Sequence, residues 1–142
     1  MLIKTYFPKA VIGTMTSSLL FITNTIHLSY KQDILYCYTF ACLSLLSILY
    51  HLTKNRTICL LDKLCIAGVA LQGGKHTYLN FALDEYSIIT ITTCGSVIWL
   101  YHYGFITHMF VFDKDEEIGN NYHMLLHLLS SIGHHAVACK MQ

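Results

Sequence analysis

Hydrophobic residues gather into five long runs separated by short polar breaks. The runs cover residues 10–28, 34–53, 58–71, 86–112 and 122–139, and the breaks fall at 29–33, 54–57, 73–85 and 113–121. About 20 apolar residues in a helix match a ~30 Å hydrocarbon core. None of the runs alternates apolar and polar residues as a half-buried strand does. In lipid only helices and closed barrels satisfy their own backbone groups. The expected fold class is therefore all-α: one polytopic membrane helix bundle of about five transmembrane helices, a single domain over residues 1–142. The run 58–71 is short and carries Asp62 and Lys63. The run 86–112 is long enough to tilt strongly or to end at the interface. Gly73-Gly74 reads as a helix stop rather than a phosphate loop, because no strand precedes it. The acidic stretch 113–117 reads as a solvated loop.

Composition agrees with a membrane chain. Hydrophobic residues make up 54% of 142 and charged residues 12%, against about 25% charged in an ordinary soluble domain. Mean hydropathy is +0.49. The net charge of +1 comes without a basic block, which excludes nucleic acid as a partner, since phosphate binding needs a concentrated positive field. The six cysteines form no CxxC and lie mostly in apolar runs, so they read as small hydrophobes. Lys4 and Lys9 precede the first run as they would in a signal peptide, but the apolar core is long and no small-x-small site follows cleanly. The run is read as a retained span. With a cytoplasmic N-terminus, Lys4, Lys9, Lys54, Arg56 and Lys114 face the cytoplasm, against Lys31, Lys75 and Lys140 outside.

Nine histidines in so apolar a chain change the picture, because ionisable groups inside a membrane mark function. His123 and His127 stand four apart, so both imidazoles project from one helix face, a spacing that suits one metal ion. Asp62 is a carboxylate within an apolar run and needs a partner, a proton or a cation. Runs two, three and five alternate in direction, so His51, Asp62, His123 and His127 fall at ends facing the same side. At 1.5 Å per residue, His51, Asp62 and His127 lie roughly 5–10 Å below that surface. Ser47 is one turn deeper than His51 on its face. Three imidazoles with an open fourth position follow the plan of a catalytic zinc site. His134 and His135 lie toward the other side, in packing or interhelical hydrogen bonds. His102 and His108 read as interfacial, as do Trp99, Tyr101 and Tyr103.

The residues Ser47-Ile48-Leu49-Tyr50-His51, Leu60-Leu61-Asp62 and His123-Met124-Leu125-Leu126-His127, in this order, resemble the CREST superfamily. That group comprises alkaline ceramidases, progestin/adipoQ receptors and hemolysin III proteins. The step from His51 to Asp62 with Leu-Leu-Asp-Lys-Leu is most similar to the ceramidase branch; Tyr50-His51 and the segment 66–68 also resemble hemolysin III. The resemblance implies a seven-helix family core, here with two helices missing between Asp62 and His123. It implies zinc held by His51, His123 and His127, with Ser47 and Asp62 beside the water it activates. It implies hydrolysis of a membrane-lipid amide, ceramide-like, drawn from the bilayer. Asp62 would take the water's proton and Ser47 would donate to the developing oxyanion. Two other readings stand beside this one: a receptor-like or partner-binding membrane protein braced by a structural zinc, and a small proton or metal channel.

Overall fold

The computed structural model describes residues 9–141, with side chains from residue 12 onward. It is all-helical: among the described residues there is no strand. The helices are α1 (Lys9–Ser18), α2 (Leu20–Tyr30), α3 (Ile34–Thr53), α4 (Arg56–Leu79), α5 (Glu85–Thr107) and α6 (Glu116–Lys140), with a 3-10 turn at Phe110–Phe112. Lys4, invoked above for orientation and for a leader, lies outside the described residues.

Acidic or amide side chains start the four long helices by accepting their unpaired first N–H groups. Asp33 accepts from Tyr36 N, Asn55 from Thr57 N and Ile58 N, Asp84 from Ser87 N, and Asp115 from Glu117 N and Ile118 N. Two helices end on a residue in the left-handed conformation, Lys54 (φ 52) and His108 (φ 54).

Of the five expected runs, 34–53 coincides with α3. The others differ for local reasons. The run 10–28 is broken at Leu19 into α1 and α2. Hydroxyls there bond backward to the chain: Thr16 Oγ1 to Ile12 O (2.7 Å), and Ser17 Oγ and Ser18 Oγ both to Thr14 O (2.9 Å each). Such bonds compete with the helix ladder and bend it. Leu19 N then reaches Thr16 O, three residues back.

The run 58–71 becomes the 24-residue α4, which passes through Gly73-Gly74 rather than stopping there. Gly73 is needed for contact: a Cβ would lie 2.7 Å from Cε1 of His134 and 3.0 Å from the Tyr36 hydroxyl. The run 86–112 is helical to Thr107 and closes with the 3-10 turn. The last helix begins at Glu116, six residues early, because Asp115 caps it and Glu116 and Glu117 suit its positive end.

Helix α6 is the shared element, packing on α1, α2 and α5, while α4 packs mainly on α3. The apolar core gathers Phe21, Leu28, Tyr36, Phe40, Leu43, Val69 and Val137. Two described helices, Ile34–Thr53 and Arg56–Leu79, are long and apolar enough to cross a membrane. Polar side chains occupy the interior, among them Asn24, Ser44, Ser47, His51, Asp62 and Ser131, while Leu60, Leu64, Leu71, Ile88, Ile91 and Trp99 face outward.

Candidate metal centre

The carboxyl end of α3 and the first half of α6 bring three imidazoles together. His51, His123 and His127 each offer a ring nitrogen, and these atoms lie within 4.8 Å of one another. The ring centroids are 4.9 Å apart for His51–His123, 4.7 Å for His123–His127 and 6.0 Å for His51–His127. The four-residue step on α6 sets the His123–His127 pair, and the antiparallel end of α3 supplies the third ring. These three histidines can hold a metal ion.

The donor set fits that use. His51 is 4% exposed, and neither of its ring nitrogens has a hydrogen-bond partner among the described residues. Oδ1 of Asp62 is likewise buried and unpartnered. Buried polar atoms are nearly always paired, and an orphaned imidazole beside two others is the pattern a cation completes. Asp62 stands on the second turn of α4, two residues of connector away from α3.

Ser47 is buried on α3 one turn below His51, and its hydroxyl lies 2.9 Å from that of Ser18 on α1. Ser18 already donates to Thr14 O. A hydroxyl has one hydrogen, so Ser47 is the donor in this pair. The contact missed by sequence reasoning is Ser17, whose Oγ lies 2.8 Å from Nδ1 of His127. The available signal was the density of hydroxyls in Thr14–Ser18 within an apolar run.

A second set of histidines serves packing at the other end of the bundle. His134 Nδ1 is hydrogen-bonded to the Tyr36 hydroxyl. The Tyr36 ring stacks on His76 (5.7 Å, 7°), whose Nε2 meets Asp33 Oδ2 at 2.8 Å. His135 bridges His27 (2.9 Å) and Thr23 (2.9 Å). A cleft of about 490 Å³ lies here, lined by Lys31, Gln32, Asp33, Ile34, His76, Asn80 and Met141. It is open, contains none of the three clustered histidines, and does not bear on them. Phe110 packs on Tyr122, the residue before His123, at 4.8 Å, and on Trp99 at 5.4 Å.

Compared with protein-family models, with curated proteins and with solved structures, this chain matches none.

Proposed function

We propose that the chain is a multi-pass integral membrane protein and a zinc-dependent hydrolase of a lipid amide, ceramidase-like and related to the CREST superfamily. One observation carries the proposal: two buried imidazoles and a half-buried one converge with their ligand atoms within 4.8 Å, and one of the rings lacks any protein partner among the described residues, as does the buried Oδ1 of Asp62 on the adjoining α4. The inside-out distribution of polarity supports the membrane setting. Soluble proteins expose scattered apolar residues, but a hydroxyl-, amide- and histidine-rich interior under an apolar exterior suits lipid as the solvent.

His51, His123 and His127 would hold the zinc. Three nitrogen ligands favour zinc over magnesium or calcium, which prefer oxygen. A bound zinc supplies water acidified toward a pKa of ~7 and a polarised substrate carbonyl. The protein's own groups do the rest. Oδ1 of Asp62 has no competing hydrogen bond and is free to accept the proton of the attacking water, then to return it to the amine that leaves. Ser47 would donate to the carbonyl oxygen only by releasing Ser18, so its share in the reaction is smaller than that of Asp62. The exposed apolar face of α4, with Leu60, Leu61 and Leu64 beside Asp62, offers acyl chains a surface continuous with the bilayer.

The test is metal content followed by turnover of ceramides of several chain lengths. Purified protein should carry about one zinc, and His51→Ala, His123→Ala and His127→Ala should each deplete it. Asp62→Asn should keep the metal and lose activity by about 10²–10⁴, the usual worth of a general base. Full zinc occupancy in the His123→Ala, His127→Ala double variant would sink the site. Zinc without turnover of any lipid amide would make the cluster a brace.

A further inference from the structure

The direction of the hydrogen bonds around α1 fixes a property of His127 that distances alone do not. Ser17 Oγ lies 2.9 Å from the carbonyl oxygen of Thr14 and 2.8 Å from Nδ1 of His127. A carbonyl can only accept, so the single hydroxyl hydrogen of Ser17 is committed to Thr14. Toward His127 the same oxygen presents lone pairs alone. Nδ1 of His127 must therefore carry hydrogen, and in a neutral imidazole that leaves Nε2 bare.

We propose that Ser17 is the positioning residue of the metal centre, holding His127 in the Nδ1–H tautomer with Nε2 free as a ligand. The inference rests on the metal reading above for its purpose, although the tautomer itself does not. Approach of α1 to α6 makes the contact possible. Gly13, one turn before Ser17, leaves room for the end of the Met124 side chain against α1: a Cβ there would come within 2.7 Å of its Sδ. Phe21, one turn after Ser17, packs its ring on His127 at 5.0 Å. The ring is thus held from α1 by a hydrogen bond and from α2 by an aromatic face.

Thr23 and His135 repeat the arrangement farther along. Thr23 Oγ1 donates to Leu20 O at 2.6 Å and so accepts from Nε2 of His135 at 2.9 Å. With both rings neutral, Nδ1 of His135 then accepts from Nδ1 of His27. A helix hydroxyl bonded back to its own carbonyl acts in both places as a pure acceptor and selects a tautomer. At His135 it selects the opposite one, so the outcome follows from which nitrogen the hydroxyl meets.

Partners behind metal-bound histidines typically contribute 10–100-fold in affinity. The experiment uses full-length protein in detergent, stripped with a chelator, with 15N-labelled histidine. Long-range 15N–1H correlation should show His127 protonated at Nδ1 in the metal-free wild type. Ser17→Ala should mix the tautomers and weaken zinc binding 10–100-fold, while Ser17→Thr, which keeps the hydroxyl, should restore both. An Nε2–H signal for His127 in the wild type would overturn the proposal, as would a Ser17→Ala protein with unchanged tautomer and zinc affinity. If the wild type shows Nδ1–H and binds no zinc, the tautomer lock stands and the metal-dependent hydrolase fails.

Discussion

Gly133 lets α6 lie close against Thr93 of α5, and replacing it with alanine is a direct test of how these helices meet. An added Cβ would lie 2.4 Å from Oγ1 of Thr93 and 3.4 Å from its Cβ. The first distance is a clash; the second is ordinary contact. Thr93 cannot swing away without cost, because its hydroxyl is bonded to Ile89 O (2.8 Å) and Thr90 O (3.1 Å). The helix α5 must retreat instead. Overpacking of this severity costs about 2–3 kcal/mol, in the upper part of the usual range. Alanine's better helix propensity returns up to ~1 kcal/mol. Gly133→Ala should therefore destabilise by about 1–2 kcal/mol. Thr93→Ala removes the clashing oxygen and leaves its helix carbonyls bonded within the backbone, so the double variant should recover nearly all the loss. Unfolding in detergent, followed by the fluorescence of Trp99, the single tryptophan, reads the contact from α5 itself. The coupling between the two substitutions should equal the clash itself, about 2–3 kcal/mol, because the propensity gain is present with and without Thr93→Ala and cancels. A Gly133→Ala protein as stable as wild type, or one that Thr93→Ala fails to rescue, would refute this account of the α5–α6 interface.

Two other predictions concern the ends of the bundle. With a cytoplasmic N-terminus, a glycosylation tag appended after Gln142 through a polar spacer should be modified in a eukaryotic host, while Asn55-Arg56-Thr57 should not; the reverse pattern would invert the orientation. The second concerns Asp84, whose carboxyl is held below the ordinary carboxylate range by hydrogen bonding to the Lys140 ammonium, then by the Ser87 amide. A carboxyl with a lowered folded-state pKa stabilises the fold fully above its unfolded value of about 3.9, and the contribution is lost as the pH falls through the lower folded value. The wild type's advantage over Asp84→Asn in unfolding experiments should accordingly hold near neutrality and fade below about pH 4, and an advantage persisting through acid would remove the ion pair from the account.

Much of the helical layout was legible because apolar runs and capping residues agree, as at α3, where Asp33 and Lys54 bracket the run. The failures have physical causes. Gly73-Gly74 looked like a stop because backbone freedom is what a glycine pair signals; the role of Gly73 here is room for His134, a contact between residues 61 positions apart. Glu116–Asn121 looked like loop because its polarity hid the Asp115 cap. The clustering of His51, His123 and His127 could be anticipated from helix spacing and the parity of crossings. Ser17 could not, since nothing in Thr14–Ser18 says which hydroxyl faces α6, and the break at Leu19 decides it. The engagement of Ser47 with Ser18 was hidden for the same reason: it depends on how α1 leans against α3.

Under the hydrolase reading, the proposed site draws on helices with unequal support. All three imidazoles stand on α3 and α6, which sit among several neighbours, whereas Asp62 belongs to α4, whose main attachment is to α3. Sub-global opening draws on the least supported segments first. Loosening of α4 alone would carry the carboxylate away and leave the histidine cluster whole. Under the hydrolase reading, such an opening gives an idle state that retains its metal, in which turnover falls before zinc is lost.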